Sequence, residues 1–228
     1  MSKVRETLGL SRVQVLHPSL MYRLFKQFWS GHRPLGFMDS HTRYARITPP
    51  HAADLSGLPE EYIAVKFYAA KSMPDTPHIR QMLRATIAAL AEQVPVVVLD
   101  TDLRLDDHDD YLFQSSARVI SARHLMIPKN NLAVQTQIIG GARAFVGTCG
   151  SVAWLAPMLG VDTMAVLADA KFLHSHLHVA RRVYTLMKGG RFAPLDLSAL
   201  EPLGLTLAVG SRIPERSLEH LRSVRTGV

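Results

Sequence analysis

The residues best suited to chemistry lie in the run from Ala142 to Gly160. It reads Phe145-Val146-Gly147-Thr148-Cys149-Gly150-Ser151-Val152: an apolar strand, a turn flanked by two glycines, and a helix start that carries hydroxyls. Glycine tolerates positive φ and lets the backbone approach a ligand closely. The first turn of a helix offers N–H groups without intrahelical acceptors, and its dipole end favours anions. Gly147, Thr148, Cys149, Gly150 and Ser151 are therefore expected to form a phosphate cradle, with Thr148 and Ser151 adding hydroxyl donors. The same pattern also fits an ordinary strand-to-helix turn in which Ser151 is an N-cap and nothing more.

Other candidates are weighed against that cradle. Lys66 ends one apolar run and Lys71 follows it, so a parallel sheet brings both near the cradle's edge, where a lysine can neutralise a diphosphate. A solvated loop lysine is the commoner outcome, and Lys71 is the stronger candidate of the two. His174, His176 and His178 stand at spacing two; on a helix only His174 and His178 lie one turn apart, which leaves a zinc site without its third ligand. His174 and His178 are kept as substrate contacts. Asp106-Asp107-His108-Asp109-Asp110 lacks the alternate spacing of a calcium loop and reads as a solvated acidic loop, so no metal is expected. Cys149 at a helix start invites a nucleophile reading, but no paired base can be placed, and a small packing residue is the expectation.

The elements that position these residues alternate. Tyr62–Phe67 is a β-rich run, Thr76 and Pro77 announce a helix with Ile79, Met82, Leu83, Ile87 and Leu90 on one stripe, and Val94–Leu99 is a near-continuous apolar strand. Arg118–Ile120 and Leu125–Ile127 offer short strands, Asn131 caps a helix that ends at Gly140-Gly141, and Thr163–Leu167 is another buried strand. Leu173, Leu177, Ala180, Tyr184 and Met187 mark a last helix, terminated by Gly189-Gly190. Such alternation predicts an α/β domain with a doubly wound parallel sheet and helices on both faces, its ligands beyond the carboxyl ends of the strands. Before it, residues 11–16 read as a weak strand, and residues 17–29 as an amphipathic helix with Leu20, Met21, Leu24, Phe25 and Phe28 on a core or interdomain face. Seven glycines and prolines between residues 30 and 60 then place a boundary near residue 58. The resulting division is 1–58, a partial helical and irregular segment that ends in a linker; 59–195, the sheet domain; and 196–228, a basic tail helix.

Composition sets the limits. The chain has 228 residues, 47% of them hydrophobic and 20% charged, which is ordinary globular chemistry. The balance of 26 Lys and Arg against 19 Asp and Glu gives a net charge of +7 and favours anionic partners. Cys149 is the lone cysteine, so a disulfide framework and a thiolate metal site are excluded. With no secretory h-region and no apolar run long enough to span a bilayer, the expected location is the cytoplasm, with the inner face of the membrane as the alternative.

The order of elements resembles the C-terminal, donor-binding lobe of GT-B glycosyltransferases. The resemblance covers residues 60–190 and rests on Tyr62–Phe67 with its lysine loop, Val94–Asp100, the run Phe145–Gly160 and Asp162–Leu167. It implies a Rossmann-like lobe whose turn at Thr148–Ser151 holds the diphosphate of a nucleotide sugar, the donor substrate, with no further cofactor. The acceptor it implies is a glycan or a lipid-linked saccharide. Two features depart from the pattern: Pro157 lies inside the cradle helix, and no acidic residue is matched to the position where the family often grips the ribose. Only about 60 residues precede the lobe. The resemblance thus implies a donor half whose acceptor lobe is supplied by a longer protein, a partner or a second copy, with weak or absent turnover by the isolated chain. No catalytic base is assignable from the sequence. A nucleotide-sugar epimerase and a non-catalytic nucleotide or nucleic-acid module remain as alternatives; nucleic acid is not expected, because a basic and aromatic recognition motif is missing.

Overall fold

The computed structural model describes residues 25–41, 46–101, 109–169 and 173–199. The chain divides into two compact units, Met1–Ala45 and Arg46–Val228. In the first, residues 25–29 are helical, with the Phe25 and Trp29 rings stacked at 5.6 Å, and α1 spans Leu35–His41 with the Arg33 guanidinium over the Phe37 ring. The expected strand at 11–16, residues 17–24 of the expected helix, and residues 200–228 of the expected tail lie outside the described residues.

The second unit is an α/β domain of Rossmann-like form. Strands β1 (Ile63–Lys66), β2 (Val96–Val98), β3 (Val119–Ser121), β4 (Ala144–Thr148), β5 (Thr163–Leu167) and β6 (Phe192–Asp196) make one parallel sheet in the order β3-β2-β1-β4-β5-β6. Helices α2 (Pro77–Gln93), α3 (Asn131–Gly141), α4 (Ser151–Met158) and α5 (His174–Met187) connect them. Alternate strand residues feed two cores, as the pleat requires. Val65, Phe67, Val96, Val98, Val146 and Val166 pack with Ile79, Leu83, Ile87 and Ala91 of α2. Ala64, Val97, Leu99, Phe145, Ala165 and Leu167 pack on the opposite face with Val134, Ile138 and Ile139 of α3, Ala153 and Ala156 of α4, and Leu177 of α5.

Local chemistry explains the element ends. Thr76 caps α2 by accepting from the Ile79 N–H at 3.2 Å, and Pro77 occupies the first helical position, as its missing N–H allows. Three expectations need correction. Leu125–Ile127 is not a strand: Arg123–Leu125 forms a 3-10 turn, after which Met126 plugs the core and Ile127 is exposed. Asn131 does not cap α3; it is that helix's first residue, and its side chain accepts from Gln135 Nε2, while Asn130 Oδ1 accepts from the Ile127 N–H. The left-handed residue that ends α5 is Lys188 at φ 50°, not one of the two glycines after it. One strand escaped notice: β6 carries Pro194 at its centre, which a sheet tolerates at an edge.

The irregular run 46–58, read from the sequence as linker, belongs to the compact sheet unit as a strap across α3 and α4. The Ile47 N–H donates to Met158 O at 2.8 Å, and Gln137 Oε1 accepts from the N–H groups of Ala52 and Ala53 at 2.6 and 2.9 Å while Nε2 donates to Ala53 O at 3.0 Å. One side chain thus satisfies three backbone groups of a segment without a ladder of its own. Gln137→Ala should therefore lower unfolding stability by about 1–3 kcal/mol in urea titrations, and should expose residues 46–58 to proteolysis before the sheet.

Candidate functional site

The strand order reverses between β1 and β4, so the connections that leave their carboxyl ends run to opposite faces and open a crevice there. Register sets Lys66 of β1 beside Gly147 of β4, and Thr148 beside Val166 of β5. The loop after β1 does not rise away from this edge. Thr148 Oγ1 accepts from the Tyr68 N–H and donates to the Tyr68 carbonyl, both at 3.0 Å, which clamps the loop over β4. Ala70 and Met73 then close a tight turn with Lys71 and Ser72 at its tip, and Ser72 O accepts from the N–H groups of Ala168 and Asp169 beyond β5.

That clamp redefines most of the expected cradle. Thr148 is 1% exposed and its hydroxyl serves the Tyr68 backbone. Neither Gly147 nor Gly150 takes positive φ. Both are required by close approach, but to protein atoms: a Cβ on Gly147 would clash with the Lys66 carbonyl and the Phe145 ring, and one on Gly150 with the Tyr68 hydroxyl. Cys149 donates its N–H to Val166 O at 2.7 Å, and its thiol is buried, which pushes its pKa up from 9.0 to about 12. Burial without a charge partner makes a poor nucleophile, in line with a packing role.

What remains open at the edge is the start of α4. The N–H groups of Gly150, Ser151 and Val152 have no backbone acceptor among the described residues, and the first α4 bond to the turn is from Trp154 N–H to Gly150 O. Ser151 is exposed, and Lys71 is exposed on the hairpin that crosses the same edge. Such a set of amides at a helix start can hold an anion without any titrating group. His176 and His178 are exposed on the first turns of α5, the His176 ring lying 6.5 Å from Trp154, centroid to centroid; His174 is the helix's first residue, and its side chain is outside the described atoms.

Lys66 stands apart from that anion-receptive corner. Its amine donates to Leu99 O at 2.9 Å and pairs with Asp110 at 3.0 Å, and Asp110 also accepts from the Thr101 N–H and hydroxyl. Both side chains are mostly buried, so this pair closes the stem of the acidic loop, whose residues 102–108 are outside the described set. A second carboxylate at the edge, Asp100, is 5% exposed and accepts from Ser121 Oγ at 2.6 Å and Arg123 at 2.7 Å. Sequence reading placed Asp110 in a solvated acidic loop, whereas it is mostly buried against Lys66, and gave Asp100 and Tyr68 no role; only the fold supplies their partners.

Fold and edge together define the class, a doubly wound α/β domain of Rossmann-like form with main-chain N–H groups in the turn after β4 that have no backbone acceptor among the described residues. No family model and no curated protein matches the sequence. Among solved structures, the glycotransferase of kitacinnamycin aligns over 79% of this chain and 40% of its own, at a TM-score of 0.37 and 14% identity. The beta Kdo 2,4 transferase KpsC of Thermosulfurimonas dismutans aligns over 68% of this chain and 46% of its own, at a TM-score of 0.33 and 15% identity. The chain spans less than half the length of either protein.

Two outcomes follow from the site's geometry. Thiol reagents at neutral to mildly alkaline pH should leave native Cys149 unmodified and label it only in denaturant, as a thiol raised to about 12 requires. Asp110→Ala strands a buried ammonium with one carbonyl acceptor, and should cost about 3–5 kcal/mol of stability in denaturant titrations.

Proposed function

We propose that the carboxyl edge binds a nucleoside-diphosphate sugar and that the chain is the donor-binding half of a glycosyltransferase acting on a glycan or lipid-linked acceptor. The observation that carries this reading is the set of three successive N–H groups, Gly150 to Val152, at the start of α4 and beside the strand-order reversal. A diphosphate seated there receives the helix dipole and the Ser151 hydroxyl, and Lys71 approaches from the hairpin held by Ser72. In glycosyl transfer the acceptor hydroxyl attacks the anomeric carbon and the nucleoside diphosphate departs. Fixed N–H donors at that phosphate stabilise charge that grows in the transition state. The resemblance of residues 60–190 to a donor lobe supplies the sugar and the nucleoside; the edge geometry supports the phosphates.

Substituting Gly150 would test the Tyr68 contact rather than the ligand. Ser151→Pro is the cleaner probe, because proline suits the first helical position while removing one N–H and one hydroxyl. Calorimetric titration with a panel of nucleoside-diphosphate sugars should show binding, weakened by about 1.5–3 kcal/mol in Ser151→Pro and again in Lys71→Ala, the range for hydrogen bonds to charged groups. Absence of binding by any of the panel at millimolar concentration, or variants that bind like the parent, would sink the proposal.

A further inference from the structure

The net charge of +7 is not spread over the chain. Between residues 111 and 195 there are nine Lys and Arg against two Asp and Glu, whereas the remaining residues hold 17 of each. The entire excess therefore lies in the stretch that runs from the entry to β3 through β6, in its connecting segments and in α5. Of the two acids, Asp162 is paired with Arg191. Helix α5 contains neither Asp nor Glu, and from His178 onward its exposed positions fall on one arc at helical spacing: His178, Arg181, Arg182, Thr185 and Leu186, with Lys188 just beyond the last turn and the exposed His176 off the arc. The opposite side, Val179, Ala180, Val183, Tyr184 and Met187, is buried. A rigid helix of 14 residues is thus docked by its apolar side and presents outward a row of cations with an exposed leucine, 57% accessible, among them.

We propose that this face of α5 docks on an anionic lipid bilayer. Charge complementarity selects an anionic partner, and planarity suits a straight helix face held against a sheet. Leu186 favours lipid over nucleic acid, since an aliphatic side chain between cations can enter the headgroup layer, and the arc carries no Phe, Tyr or Trp on which bases stack. The proposal is independent of what the carboxyl edge binds.

The test is co-sedimentation of the full chain with phosphatidylcholine vesicles, plain or doped with phosphatidylglycerol. Binding should require the anionic lipid and should be strong at about 0.1 M salt and lost at about 1 M, where the Debye length falls from about 10 Å to about 3 Å. Arg181→Gln with Lys188→Gln should weaken it about 25-fold, about fivefold per cation. Arg33→Gln with Arg84→Gln, which removes the same charge from outside the basic region, should leave it unchanged. Thermal unfolding of both pairs checks that they fold; should the α5 pair fail to fold, the single Arg181→Gln, with its expected fivefold loss, decides. The idea is overturned by indifference to anionic lipid, by equal loss in the two pairs, or by α5-dependent binding of mixed-sequence duplex DNA with none to vesicles.

Discussion

The pairing of β1 with β4 is the contact on which the carboxyl edge depends. In this strand order Lys66 and its register partner Gly147 are 81 residues apart along the chain, and the two strands lie side by side in one layer. Gly147 makes the approach possible, because any side chain there would meet the Lys66 carbonyl. Thr148 then holds Tyr68 by both backbone groups. Once that clamp is set, the loop after β1 has only one way to run, across β4 to Ser72 at the end of β5. Lys71 is carried to the carboxyl edge by the main-chain hydrogen bonds of Ala70, Ser72 and Met73.

The sheet was largely legible because each central strand is buried on both faces and so is written as an apolar run: Ile63–Lys66, Val96–Val98, Ala144–Thr148 and Thr163–Leu167 all fall inside the runs read from the sequence. Edges were less legible. Pro194 hides β6, since a proline argues against a strand unless one knows that the strand is outermost. Leu125 and Met126 look like strand residues because they are apolar, yet they cover the core from a 3-10 turn. Residues 46–58 contain too many prolines and glycines for an element, and their fastening depends on Gln137 and Met158, both distant in sequence.

In the candidate site, position was legible and partnership was not. A glycine before a helix looks the same whether the space it leaves admits a phosphate or the hydroxyl of Tyr68. Two lysines five residues apart are both candidates, Lys71 the stronger, and only the fold shows why Lys66 is taken: it places Asp110, 44 residues along the chain, against it. The physical difference is desolvation: Lys66 enters a mostly buried position and must bring a counter-charge, whereas Lys71 at a hairpin tip retains its water. A sequence lists charges; it does not say which of them have been taken out of solvent.

The same distinction divides the chemistry of the edge. Asp100 and Asp110 are the carboxylates nearest in register to the ends of β2 and β1, and their oxygens are engaged by Ser121 and Arg123 and by Lys66 and Thr101. Withdrawing either to accept a proton from an acceptor hydroxyl would break an ion pair, and at Asp110 it would leave the mostly buried Lys66 ammonium behind, a loss that opposes catalysis rather than serving it. The start of α4 is of the other kind, since its amide donors are fixed by the helix and carry no proton to trade. On the proposed function, this edge is therefore suited to hold a leaving group's phosphates, while the base that activates the acceptor must be some group other than these two paired carboxylates.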